Sequence, residues 1–188
     1  MKSVEIVGFQ RANLGKTDSK ALRAESNVPC VLYGGGEQVH FHVPVILFRP
    51  LVYTPNAHIV DLNIEGRKFT AILQDIQFHP VNESILHADF LQLFEDKPVK
   101  INVPVKVKGV AVGVTKGGKL NQKLRKVKVM ALPANLPDFV EVDVAHLDLG
   151  KTVKVSSIIA DGFTILAAPN VPVVTIDIPR ALKSARGN

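Results

Sequence analysis

The sequence is poor in the residues that build covalent or reactive centres. It holds one cysteine, Cys30, which excludes an intrachain disulfide and fits a reducing compartment. Tryptophan is absent and aromatics make up only 6%, so the core has to come mainly from aliphatic side chains. No apolar run approaches the roughly 18 residues that a membrane helix needs. The opening MKSVEIVGF lacks the long apolar stretch of a secretory signal. A soluble cytoplasmic protein without a membrane partner is expected. Acidic residues are missing altogether between Lys97 and Lys128, a stretch with ten basic ones.

What is present points to β structure. Apolar residues form 46% of the 188, too many for a disordered chain. Twelve prolines and thirteen glycines punctuate short valine-rich runs, the pattern of strands joined by turns. The length suits one large domain or two ordinary ones. The net charge of +6 is unevenly spread: residues 1–93 carry 8 Lys and Arg against 9 acids, and residues 94–188 carry 15 against 8. Phe94 to Pro98 breaks the pattern with charge and proline and reads as a linker. A domain over 1–93, a second over 94–180 and a flexible tail over 181–188 are expected.

Taken in order, Ser3 to Gln10 reads as a first strand. A basic loop with Arg11 and Lys16 leads to a short helix starting at Thr17, Asp18 or Ser19 and carrying Lys20 and Arg23. The chain breaks at Asn27 and Pro29, then runs as a strand from Cys30 to Tyr33. Gln38 to Val43 alternates, with His40 and His42 on one face. Pro44 is placed in the first turn of a helix, VILFRPLVY, which Pro50 should bend or end. His58 to Ile64 and Arg67 to Phe78 form a hairpin about Glu65-Gly66. Ser84 to Leu93 is a strand with His87 and Asp89 on one face. Beyond the linker, strands are expected over Lys100 to Val110 and Lys119 to Ala131, with shorter ones at 139–144, 152–155, 163–167 and 173–178. These read as a small sandwich or barrel.

Three reactive readings fail on their own requirements. Gly113, Gly118 and Lys119 fit G-x-x-x-x-G-K, but Leu120 replaces the Ser or Thr that binds magnesium, and a strand-like stretch follows where a helix is required. A mobile basic hairpin tip is the better reading. His40, His42, His79, His87 and Asp89 match no zinc spacing, so no metal or cofactor is expected. Cys30 sits in an apolar run as a core residue, and no nucleophile lies near His87 and Asp89, so no enzyme is expected.

Binding chemistry fits better. Arg11, Lys16, Lys20 and Arg23 on a loop and one helix, beside Tyr33, make a surface suited to a phosphate backbone. Asp89 either pairs with a surface cation or accepts a hydrogen bond from a base amino group or a ribose hydroxyl. Tyr33 is either a core aromatic or a stacking platform. The basic run offers a further polyanion contact.

The order Arg11, Gly15-Lys16, Ser19, Ala21-Leu22-Arg23, Val28-Pro29 and Val31-Leu32-Tyr33-Gly34 resembles that of the bacterial 5S rRNA-binding proteins of the large ribosomal subunit. These are also known as the general stress protein Ctc family, or large-subunit ribosomal protein twenty-five. The resemblance continues through Gln77 to Pro80, His87 to Phe90, Val103-Pro104-Val105, Gly109 to Gly113, Gly117-Gly118, Leu132-Pro133 and Glu141 to Val144, nearly the whole chain. It implies a mainly β fold: an N-terminal antiparallel β-barrel with short helices that binds 5S rRNA, and a second all-β domain. By position it assigns Arg11, Lys16, Ser19, Arg23, Tyr33, His87 and Asp89 to the RNA face. Arg11, Lys16 and Arg23 would meet phosphates, Ser19 a phosphate or ribose, and the other three sugar or base edges. With four or five cations engaged, the log of affinity should fall against the log of salt with a slope of about −3 to −4.5. Lys116, Lys119, Lys123, Arg125 and Lys126 are expected to make an additional contact with RNA, 23S rRNA included, or with a neighbouring ribosomal protein. The alternative function is a stress-induced RNA-binding protein or RNA chaperone acting off the ribosome.

Overall fold

A computed structural model describes residues 2–179 of the chain; the tail expected over 181–188 lies outside them. The molecule is mainly β and divides into two compact units. The first runs through Ile101 and takes in Leu132–Leu136; the second begins at Asn102 and resumes at Pro137 after Ala131.

The first unit contains β1 (Lys2–Gln10), α1 (Lys16–Ala24), β2 (Asn27–Tyr33), β3 (Val39–Pro44), α2 (Arg49–Val52), β4 (His58–Ile64), β5 (Arg67–Phe78) and β6 (Ile85–Gln92). The strands close a barrel in the order β1-β3-β2-β6-β5-β4. Strands joined by short turns pair antiparallel, as such turns require. Of the three pairings made across long excursions, β1–β3 is antiparallel, while β1 lies parallel to β4 and β2 parallel to β6. The barrel is therefore mixed rather than purely antiparallel.

Alternation turns Ile6, Leu32, Phe41, Val60, Leu62 and Phe90 inward, each at most 1% exposed. Phe90 anchors this core, with the Phe41 and Phe48 rings 5.7 and 6.2 Å from its own. Truncating such a buried aromatic typically costs about 3–5 kcal/mol.

Two prolines behave differently from the sequence expectation. Pro44 ends β3 instead of opening a helix, and a 3-10 turn, Val45–Phe48, follows it. Pro50 falls in the first turn of α2, where the missing N–H has no helical partner to lose, so it starts a helix instead of ending one. The β4–β5 hairpin falls on the residues read from the sequence. Glu65 and Gly66 both have positive φ, 48° and 88°, as a two-residue turn between twisted strands requires. Between Leu73 and Asp75 the β5–β6 register shifts by a bulge. Ahead of it Phe69, Ala71 and Leu73 face the core; behind it Ile76 does. One extra residue has swapped the parity of the strand.

The second unit has β7 (Val99–Lys108) from Asn102 onward, α3 (Val112–Thr115), β8 (Lys119–Gln122), β9 (Lys126–Ala131), β10 (Val140–Asp143), β11 (Thr152–Lys154), β12 (Thr164–Ile165) and β13 (Pro172–Asp177). They form a four-stranded sheet, β10-β7-β9-β12, and a three-stranded one, β11-β13-β8. Val127, Val129, Val140 and Val142 are buried from the first, and Val153, Val173, Val174 and Ile176 from the second. On β9 and β10 the buried valines alternate with exposed charged residues, whereas Val173 and Val174 are buried in succession where the β11–β13 register shifts.

Lys119 to Ala131 is thus two strands in different sheets rather than one. The glycine loop is not a hairpin tip. Gly113 N–H donates to Leu147 O at 2.8 Å, and Gly118 N–H to Gly113 O at 2.8 Å. A Cβ on Gly113 would stand 2.8 Å from the backbone of Asp148 and Leu149. These glycines permit close backbone packing, and Lys119 opens a strand, so the segment lacks the helix that a phosphate loop needs.

Candidate nucleic-acid interface

The parallel pairing of β2 with β6 sets Val31 opposite Asp89 and Tyr33 opposite Leu91. Because Ala88 and Phe90 point inward, His87 and Asp89 point outward, and Tyr33 stands on the same outer face. His87 Nδ1 lies 2.7 Å from Asp89 Oδ1, with the two side chains 34% and 31% exposed. That hydrogen bond leaves His87 Nε2 available at the surface. Strand β5 adds Asp75 opposite Asp89 and Gln77 opposite His87. Partial burial, then the charges of Asp89 and Asp75, push the Tyr33 phenol above its ordinary value. Tyr33 therefore keeps its proton as a hydrogen-bond donor. Asp75 and Gln77 escaped the sequence reading because the bulge moves them onto this face, against simple alternation.

Helix α1 packs against β2. Its last turn is fastened to β6 by Arg23, whose Nη1 donates to Leu86 O at 3.3 Å, beside His87. Lys16 and Lys20, four residues apart, share one side of the helix, and Arg23 continues the same stripe. Both lysines are exposed and have no hydrogen-bond or ion-pair partner among the described residues.

Arg11 departs from its expected role. Its side chain is only 8% exposed, and Nη2 reaches Asp18 Oδ2 at 2.7 Å, with Nε at 3.2 Å from the same oxygen. Nη2 also donates to Ser19 Oγ at 3.2 Å. The guanidinium is a brace that fixes the loop to α1 and is not presented to a phosphate. Ser19 Oγ donates to Gly15 O at 2.8 Å, so its single proton is engaged. It can accept a hydrogen bond but has no proton left for a phosphate oxygen. Helix α1 begins at Lys16, after Gly15 and without a side-chain cap, so Thr17, Asp18 and Ser19 lie inside its first turn rather than at its start.

Cys30 is a core residue. Burial, and after it the charge of Asp89, push its thiol well above the ordinary value, against a smaller opposite pull from Arg11. Its S–H donates to Val28 O at 3.3 Å. Among the described residues no group of three or more His, Cys, Asp or Glu side chains is placed to hold a metal ion.

The second set of cations is not one patch. Lys116 Nζ is bound to both carboxylate oxygens of Asp148 at 3.0 and 2.9 Å, so it is not a free cation. Lys119 lies on β8 opposite Asp177, in the three-stranded sheet. Lys126 lies on β9, in the four-stranded one, and Lys123 and Arg125 precede it.

Both halves of the chain fall in the class of ribosomal proteins. Residues 6–90 match the model of the Ribosomal L25p family, and residues 98–180 match that of the Ribosomal protein TL5, C-terminal domain. The chain is 54% identical over 183 residues to the "Large ribosomal subunit protein bL25" of Cytophaga hutchinsonii, covering 97% of this chain and 95% of that one. It is 46% identical over 190 residues to the protein of the same name from Bacteroides thetaiotaomicron, covering 98% and 97%. The chain belongs to the ribosomal L25 family, in its long, two-domain form.

Proposed function

We propose that this protein is a structural constituent of the bacterial large ribosomal subunit, working in the cytoplasm with the ribosome, and that it holds 5S rRNA on the outer face of its barrel. One observation carries the reading. The unpartnered Lys16–Lys20 stripe of α1 flanks strand β2, and β2 and β6 bring Tyr33, Asp89 and His87 together on the outer face. Lysines at successive turns neutralise phosphates, and Arg23 adds a third charge. Tyr33 offers an O–H and a ring face. Asp89 accepts from a ribose 2′-hydroxyl or a base amino group, and His87 Nε2 accepts from another hydroxyl. This donor and acceptor set suits the shallow groove of an RNA helix, which displays 2′-hydroxyls and is read mainly by shape.

Filter binding of 5S rRNA across a salt series tests it. With Arg11 braced by Asp18, three cations remain on this face, so the slope should be about −2 to −3. Binding that ignores salt, or that survives Lys16→Gln/Lys20→Gln undiminished, refutes the assignment of this face. Failure to co-sediment with the large subunit refutes the ribosomal role and favours an RNA chaperone acting off the ribosome.

A further inference from the structure

The cations of the second unit separate into matched and unmatched sets once strand neighbours are considered. On the four-stranded sheet, Glu141 of β10 lies opposite Lys106 of β7, and Asp143 opposite Lys108. Lys108 Nζ reaches Glu141 Oε2 at 3.3 Å, and Lys106 Nζ stands 3.8 Å from the centre of the Phe139 ring. The acidic edge strand therefore offsets Lys106 and Lys108 of β7.

Strand β9 has no such cover. Lys126 and Lys128 project outward while Val127 and Val129 are buried. On the β12 side their neighbours are uncharged: Thr164 lies opposite Met130, and Leu166 N–H donates to Lys128 O. On the other side β7 contains no acid. The carboxylates of β10 begin two strands away, about 10 Å, which is a Debye length near physiological salt. Lys123 and Arg125 precede β9 on a pinned turn. Lys123 N–H donates to Val173 O at 2.9 Å, and Arg125 O accepts from Val105 N–H at 2.9 Å. All four side chains belong to exposed residues with no hydrogen-bond or ion-pair partner among the described residues.

We propose that Lys123, Arg125, Lys126 and Lys128 form a second site for a polynucleotide backbone, separate from the barrel face and indifferent to base sequence. Lysines two apart on a strand stand about 6.6 Å from each other, commensurate with the step between successive phosphates of one strand. The turn before β9 extends the row without an intervening acid. A protein partner would need an apolar centre around which charges form a rim. Here the apolar neighbours are Leu166, 41% exposed beside Lys128, and the half-buried Leu124 and Met130, separated by the cations rather than gathered inside them. Chemistry and spacing favour phosphates.

The test uses the full chain carrying Lys16→Gln/Lys20→Gln/Arg23→Gln, which removes the three cations of the barrel face, and a duplex RNA of unrelated sequence. This background should bind the duplex with a salt slope of about −3 to −4, four cations at roughly 0.9 each. Adding Lys123→Gln, Arg125→Gln, Lys126→Gln and Lys128→Gln should abolish that dependence. Adding Lys106→Gln/Lys108→Gln instead should change the slope by less than about 1, because these lysines already face Glu141, Asp143 and Phe139. Lys126→Arg/Lys128→Arg should bind as the background does. Circular dichroism confirms that each variant is folded. The proposal is overturned if the background fails to bind, if the fourfold variant binds unchanged, or if the Lys106/Lys108 control loses as much. Cross-linking of this surface to a ribosomal protein, with duplex binding untouched by the fourfold change, overturns it in favour of a protein contact. Failure of the barrel assignment is read separately, as 5S rRNA binding insensitive to Lys16→Gln/Lys20→Gln.

Discussion

The brace between Arg11 and Asp18 makes the sharpest prediction, because the two roles open to Arg11 move different observables. A surface ion pair contributes about 0–1 kcal/mol, whereas breaking a buried one costs about 3–5 kcal/mol. Here one side chain is 8% exposed and the other 32%, with two N–H groups aimed at one carboxylate oxygen. The pair lies between those limits, and a double-mutant cycle of Arg11→Ala and Asp18→Ala should give a coupling of about 2 kcal/mol. The single changes should be unequal. Asp18→Ala strands a nearly buried guanidinium, while Arg11→Ala leaves a carboxylate that water can reach, so the former should cost more. Urea unfolding followed by tyrosine fluorescence isolates the barrel, since Tyr33 and Tyr53 are the only tyrosines and tryptophan is absent. Arg11→Ala should leave the salt slope of 5S rRNA binding near its native value. Coupling below about 0.5 kcal/mol, or a slope reduced by about 0.9 in a variant of native stability, refutes the reasoning and returns Arg11 to the phosphates.

Three further outcomes follow from the packing and the shifted groups. Gly113→Ala should destabilise the second unit by more than about 2 kcal/mol, since its Cβ meets backbone that cannot step aside; calorimetry should show that loss while tyrosine fluorescence reports an unchanged barrel. Tyr33 should titrate above the usual phenol range in a Tyr53→Phe background, as read by tyrosinate absorbance, and Asp89→Asn should lower it. Because the fold resists the phenolate, that contribution to stability is intact below pH 10 and is lost as pH rises through the unfolded value of about 10 toward the folded one. Cys30 should be inert to a thiol reagent in the native barrel and react at a rate set by unfolding; fast labelling under native conditions would contradict its burial.

Much of the barrel could be read from local chemistry, and the failures have identifiable causes. The β4–β5 hairpin was legible because Glu65-Gly66 interrupts two alternating runs at a separation that only a tight turn satisfies. The outward placement of His87 and Asp89 followed from period-two alternation alone. Asp75 and Gln77 were hidden by a bulge, which changes parity without any glycine or proline to announce it. Pro29 was read as a break, yet it lies inside β2, at a point where β2 pairs with β3 but not yet with β6. There the strand is locally an edge and tolerates a missing N–H. Arg11 looked like a free cation because sequence gives the sign of a charge but not its nearest counter-charge. Lys116 misled in the same way, its acid being supplied by Asp148 from later in the chain.

The parallel ladder between β2 and β6 has a consequence for biogenesis. Cys30 to Tyr33 must wait for Ala88 to Leu91 before they have a neighbour on that side. A nascent chain emerging from its own ribosome can display the lysines of α1 early, but the tyrosine and the histidine–aspartate pair become neighbours only when the last barrel strand is out. Premature capture of RNA by a half-made domain is thereby limited to loose charge attraction, and firm seating is delayed until closure is complete.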